Sequence, residues 1–226
     1  LAIASLKNDN DTEIKVKNFH ISDEETLIAD NDLIKNLLQR LDPKAMLDDC
    51  GSFAFKHKSF EEALKSHILS PEINVSGISS GYANLKGHKA IIPNDAIANL
   101  DIRLVDKMNP KQVIQSIRDH LDINGLNHVE IIWSDGGYSG GKTNLDNWAV
   151  KELINTYQNM GMDPEIWPRT ATSIAVNLFT ENLGLPWIGT CPGIAGNHHA
   201  ANEYLNIDSY HKSIKFMSYL IYNLGK

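Results

Sequence analysis

Hydrophobic and polar positions divide this chain into blocks with different periods. Residues 1–70 hold short amphipathic stretches, notably Ser22 to Leu41 and Ser59 to Leu69, broken by Asp42-Pro43 and Cys50-Gly51, and this spacing predicts helices joined by loops. From Glu72 to Tyr82 and from Ala90 to Val105 the period shortens to two. In the second run Ala96, Ala98, Leu100, Ile102 and Leu104 alternate with Ile97, Asn99, Asp101 and Arg103, as in a half-buried antiparallel strand. Asn109-Pro110 then supplies an N-cap and a first-turn proline to a helix whose Val113, Ile114, Ile117 and Leu121 follow the 3.6 period. His128 to Trp133 reads as a further strand. Together these segments predict an α+β domain over residues 1–135, with helices on an antiparallel sheet.

The character changes at the glycine-rich stretch Gly136 to Gly141. Beyond it the pattern predicts a helix from Leu145 to Met160, a strand at Glu165 to Trp167, a helix from Ser173 to Asn182 and a strand at Trp187 to Cys191. A last helix carries Ile207, Tyr210, Ile214, Met217, Ile221 and Leu224 on one stripe. This alternation is α/β in style, but two or three strands make a thin sheet. Residues 136–226 therefore read as a partial α/β domain. The opening LAIASL reads as the inside of a helix, and the expectation is a C-terminal portion of something longer.

Composition narrows the function classes. Of 226 residues 42% are hydrophobic and 22% charged, enough for a sizeable core, and the net charge of −7 repels phosphate backbones and anionic membrane surfaces. Neither nucleic acid nor membrane is an expected partner. Apolar runs such as Ala90 to Pro93 and Ile131 to Trp133 fall far short of the roughly 20 residues of a membrane helix. Cys50 and Cys191 form no disulfide framework or CxxC motif; both are expected to be buried, in a reducing, cytoplasmic setting.

Three patterns could carry chemistry. Gly136 to Thr143 matches GxxxxGK[ST], in which backbone N–H groups would cradle phosphates, Lys142 reach the outer phosphates and Thr143 hold magnesium. Asp135 and Asp146 place carboxylates where the anion would sit, so a linker between two domains is the competing reading. GxSxG occurs twice, at Gly77 to Gly81 and Gly137 to Gly141, but neither serine stands at a predicted strand-to-helix elbow. Nine histidines include no HxH, HExxH or HxxEH spacing; the exception in context is Gly196-Asn197-His198-His199, on a loop between a strand and the last helix.

His199-Ala200-Ala201-Asn202-Glu203-Tyr204-Leu205 resembles the His-x-x-Asn-Glu segment of the zinc-dependent exopeptidases and deacylases that include carnosinases, cytosolic dipeptidases, succinyl-diaminopimelate desuccinylase and acetylornithine deacetylase. Lys89 to Pro93 followed by Ala98 to Val105 resembles the strand pair of that family's lid, and Asn109-Pro110 the start of the lid helix. Arg169-Thr170-Ala171-Thr172-Ser173-Ile174 resembles the Arg-x-Gly-Gly-Ser-Ile substrate loop of the carnosinase branch, with the glycine step replaced. Ala90 and Asp135 are further departures, at positions where relatives carry a hydroxyl residue and a histidine.

The resemblance implies a lid used for homodimerisation and the end of a two-zinc catalytic domain that hydrolyses a dipeptide or an N-acyl amino acid amide bond. His199 would be a zinc ligand, with Glu203 behind it. Arg103 and Arg169 would hold a substrate carboxylate by bidentate pairs, and Ser173, at a helix start, would add its hydroxyl. Arg103 has a competing use in an ion pair with Asp101 or Asp95. The remaining metal ligands and the general base, which belong to an N-terminal half, are absent from these residues, so the chain alone is expected to be inactive. A P-loop protein built on Lys142 and Thr143 and a non-catalytic dimerisation module are the alternatives.

Overall fold

In the computed structural model the residues described are 1–19, 24–81, 90–133, 137–170, 172–190, 192–198 and 201–226, with backbone only over 24–29. Helices α1 (Ala2–Leu6), α2 (Glu24–Arg40), α3 (Pro43–Asp49) and α4 (Phe60–Leu69) precede strands β1 (Glu72–Ser80) and β2 (Ala96–Arg103). Next come α5 (Pro110–Ile123), α6 (Trp148–Asn159), a single π-helical turn (Leu178–Asn182), the short strands β3 (Ala195–Gly196) and β4 (Tyr204–Leu205), and α7 (Ile207–Leu224). The α+β expectation for the first part is met: β1 and β2 pair antiparallel from Glu72↔Arg103 to Ser80↔Ala96, with a bulge between Val75 and Gly77.

Capping chemistry sets the helix starts. Asn109 accepts a hydrogen bond from the Lys111 amide at 2.9 Å, with Pro110 in the first turn, and Ser59 accepts from the Glu62 amide at 3.1 Å. The α5 stripe Val113, Ile117 and Leu121 is buried against Leu6, Val16, Phe19, Ile73, Val105 and Met108. Among the described residues the β1–β2 ribbon reaches this core through Ile73, Leu100 and Ile102. Elsewhere along it Val75, Ile78 and Ile97 lie 43, 67 and 54% exposed, leaving an apolar ribbon that two strands alone stabilise poorly.

A second core joins α2 to α4 through Ile34, Leu37, Leu64 and Ile68, and Trp167 from the later part of the chain packs against it. The third is the α6–α7 pair, where Leu153, Tyr157, Phe216 and Leu220 meet and the rings of Tyr157 and Phe216 stand 4.4 Å apart.

Several expected elements do not form. At His128 to Trp133 the side-chain alternation is right, since Val129 and Ile131 pack on the first core, but the Val129 carbonyl accepts from Arg118 rather than from a ladder. Glu165 to Trp167 and residues 187–190 of the expected strand Trp187 to Cys191 are likewise not strands, because no ladder partner lies beside them among the described residues. A strand is a property of a pair, so an apolar extended run without a neighbour stays a run. The helix expected from Ser173 to Asn182 shrinks to the turn Leu178–Asn182. On α7 the apolar stripe from Ile207 to Leu224 is solvent-exposed, with Ile207 and Ile221 71 and 65% exposed, while Ser209, Ser213, Phe216 and Leu220 are buried. Cys50, expected inside, is exposed at the end of α3, and Cys191 lies outside the described residues.

Candidate active-site cleft

The histidine loop is framed by the β3–β4 hairpin, whose register is Ala195↔Leu205 and Gly196↔Tyr204. Asn197 and Asn202 close it with φ of 56° and 61°, a left-handed backbone that asparagine tolerates better than most residues, and the Asn197 side-chain amide donates to the Asn202 carbonyl. The loop is tied to the start of α7: the Ile194 amide donates to Ser209 Oγ at 2.8 Å, and the Asn206 amide to the Ile194 carbonyl at 2.9 Å. His199 itself lies outside the described residues. Its neighbour His198 is exposed, with Nδ1 3.5 Å from Glu203 Oε1. No group of three His, Cys, Asp or Glu side chains placed to hold a metal exists among the described residues, so they do not by themselves build a zinc centre.

Glycines 140 and 141 have a purpose unrelated to phosphate. A Cβ on Gly140 would fall 2.0 Å from the Val105 carbonyl oxygen, so only glycine lets this strand-like segment press against the loop after β2, where Asp106 and Gly140 form a parallel bridge. That approach carries Lys142 to Asp30, with Nζ 2.8 and 3.0 Å from the two carboxylate oxygens. Thr143 Oγ1 donates to the Trp187 carbonyl and accepts from the Trp187 amide, at 2.7 and 2.9 Å. Lys142 and Thr143 are thus committed to protein partners, and α6 begins only at Trp148, capped by Asn147. The P-loop reading fails on this geometry; Gly136 lies outside the described residues. Neither GxSxG forms an elbow, since Ser79 sits in the ladder opposite Ile97 and no helix follows Ser139 directly.

Arg169 meets the same carboxylate. Its Nε and Nη2 lie 3.0 and 2.9 Å from Asp30 Oδ2, and its Nη1 pairs with Asp106. Asp30, 2% exposed on α2, thereby binds two cations, and with Asp106 closes a four-residue ionic cluster of zero net charge. No motif announces this cluster. The one signal in the sequence is that Asp30, Ile34 and Leu37 recur at i, i+4 and i+7, placing a carboxylate on an apolar helical stripe.

Arg103 pairs within its own strand, with Nε and Nη2 both 2.8 Å from Asp101 Oδ2, the competing arrangement raised by the sequence. Ser173 is exposed on a segment outside any helix or strand, so no helix N-terminus supports it. Arg103, Arg169 and Ser173 nevertheless line one cleft of about 1790 Å³ between β2, α5, the glycine segment and residues 164–190. That is larger than the roughly 300–1,000 Å³ of a small-molecule pocket, and is a groove rather than a closed site.

On α4, His67 meets Trp167 edge-on, with centroids 6.4 Å apart, and burial pushes its imidazole below the usual pKa. Folding therefore favours the neutral ring. The stabilisation is complete above the ordinary value of about 6.5 and is lost as the pH falls toward the lowered folded value, where the unfolded chain takes up a proton first. His67 is nevertheless an exposed residue, so solvent screens most of this desolvation and the effect is small. Thermal unfolding followed by tryptophan fluorescence should show wild type losing more stability between pH 7 and 5 than His67→Gln; parallel losses would refute the assignment.

The class of the protein is shown by its relatives. The peptidase dimerisation domain of the M20 family matches residues 3–129, more than half of the chain, and the chain belongs to that family. Among solved structures it is similar to the M20 family metallo-carboxypeptidase Sso-CP2 of Sulfolobus solfataricus, at 27% identity and a TM-score of 0.79, covering 97% of this chain and 50% of that one. The di-peptidase Dug1p of Saccharomyces cerevisiae shares the fold at 19% identity and a TM-score of 0.76, with 100% of this chain and 48% of that chain covered. Human carnosine dipeptidase 1 does so at 20% and 0.72, with 98% and 47% covered. The chain therefore spans about half the length of each of these structures. No protein of curated function gives a significant match. No helix among the described residues is long and apolar enough to cross a membrane.

Proposed function

We propose that this chain is the C-terminal portion of a zinc-dependent M20 peptidase that hydrolyses a dipeptide or N-acyl amino acid amide bond, and that it is inactive without the rest of the enzyme. Residues 1–135 form the lid and residues 136–226 the end of the catalytic domain. The exposed apolar ribbon of β1 and β2 supports homodimerisation through the lid, because pairing would cover Val75, Ile78 and Ile97. A cytoplasmic location fits the composition.

The observation that carries the reading is the cleft beside the dimerisation domain, with Arg103, Arg169 and Ser173 on its walls. There the arginines would pair with a substrate carboxylate and the Ser173 hydroxyl would donate to it, fixing the amide bond relative to the histidine loop. His199 would offer one neutral imidazole nitrogen to a zinc ion, which when bound lowers the pKa of a water and polarises the scissile carbonyl.

The test is made on the complete peptidase that contains these residues. His199→Ala should lose bound zinc and slow amide hydrolysis by more than about 100-fold, beyond the usual cost of losing an outer hydrogen-bond partner. Equal zinc content and equal rates in the two proteins would overturn the assignment of His199 as a zinc ligand, and the proposal with it.

A further inference from the structure

Arg169 presents three nitrogens to protein carboxylates, yet a guanidinium has five N–H donors. Two remain without a protein partner among the described residues, and the side chain still borders the cleft. What holds the guanidinium plane is a carboxylate on each side: Asp30 from α2 takes the Nε and Nη2 edge, and Asp106, just past β2, takes Nη1. Lys142, delivered by the glycine segment, binds both oxygens of Asp30. It offsets one of the two negative charges and the Arg169 guanidinium offsets the other, so the cluster as a whole presents no net negative charge to an incoming carboxylate.

We infer that Asp30 and Asp106 are positioning residues that clamp Arg169 in the orientation used to recognise a substrate carboxylate, with Lys142 balancing the charge of the clamp. This rests on the reading of the cleft as a peptidase substrate site. The clamp draws on four separate stretches of chain, so α2, the loop after β2, the glycine segment and the segment of Arg169 itself jointly fix one guanidinium. An arginine already immobilised loses little side-chain freedom when its ligand arrives, and discrimination between acid and amide follows from its remaining donors.

The test compares a dipeptide with its C-terminal carboxamide on the complete peptidase, through the ratio of kcat/KM for the two. Asp30→Asn and Asp106→Asn should each lower the preference for the free acid about 10- to 100-fold, the worth of a hydrogen bond to a charged group, mainly through KM. Asp30→Glu, which keeps the charge, should restore part of it. A merely structural clasp would move both substrates together and leave the ratio unchanged, which would overturn the inference. Should Asp30→Asn fail to fold, Asp106→Asn alone decides between the clamp and the clasp. Arg169→Met separates the two levels: if it abolishes the preference while the aspartate variants keep it, the clamp is wrong and the cleft reading stands. If Arg169→Met itself keeps the preference, the cleft reading of Arg169 falls.

Discussion

Replacing Asp30 by alanine is expected to lower the unfolding free energy by about 3–5 kcal/mol, the usual cost of removing one partner from a buried ion pair. The size follows from what is left behind. Lys142 and Arg169, with side chains only 14 and 13% exposed, lose their common counter-ion, and Arg169 retains only Asp106. Little of the loss comes from Asp30 contacts as such; most is the cost of buried positive charge without compensation. Converting the whole cluster to apolar residues, with Asp30→Leu, Asp106→Leu, Lys142→Met and Arg169→Met, should return most of the stability, because all four charges leave together. Urea unfolding with similar denaturant slopes across the variants would measure both effects. A loss below about 1 kcal/mol for Asp30→Ala would show that water reaches the cluster freely.

Phe216→Ala should cost about 3–5 kcal/mol, because Phe216 is 0% exposed and a phenylalanine removed from a core leaves a cavity that neighbours fill poorly. Tyr157 would lose the ring it stacks on, and Leu153 and Leu220 would border the void. The control is on the same helix. Ile214 is 49% exposed on the apolar stripe from Ile207 to Leu224, and Ile214→Ala should change stability by less than about 0.5 kcal/mol. Urea unfolding of the two variants decides the orientation of α7. A reversal, with Ile214 costly and Phe216 cheap, would mean that the helix is rotated by about 100°, the angle of one residue.

That contrast shows why periodicity alone does not settle which face of α7 is buried. The helix is apolar on both sides, and the larger stripe, from Ile207 to Leu224, dominates the pattern. The buried side is lined partly by Ser209 and Ser213, whose hydroxyls bond locally: Ser209 to the Ile194 amide and the Asn206 carbonyl, Ser213 to the Ser209 carbonyl. Small, locally satisfied polar residues bury at little cost but carry no hydrophobic signal. The exposed stripe is the kind of surface on which further structure docks.

What could be read from residue order alone was everything governed by neighbours in sequence. The Asn109 and Ser59 caps, the 3.6-residue stripe of α5, the alternation along β2 and the loop signature around Asn202 all depend on local dihedral preferences and local hydrogen bonds, and the family resemblance rests on those same segments. Three dimensions decided the remainder. Whether His128 to Trp133 becomes a strand depends on a partner, whether Lys142 faces a phosphate or Asp30 depends on a residue 112 positions away, and whether Arg169 is loose or clamped depends on two carboxylates from other elements. Long-range pairing of charges and strands is set by which surfaces meet once the cores have formed, and the local pattern of a chain carries no record of that meeting.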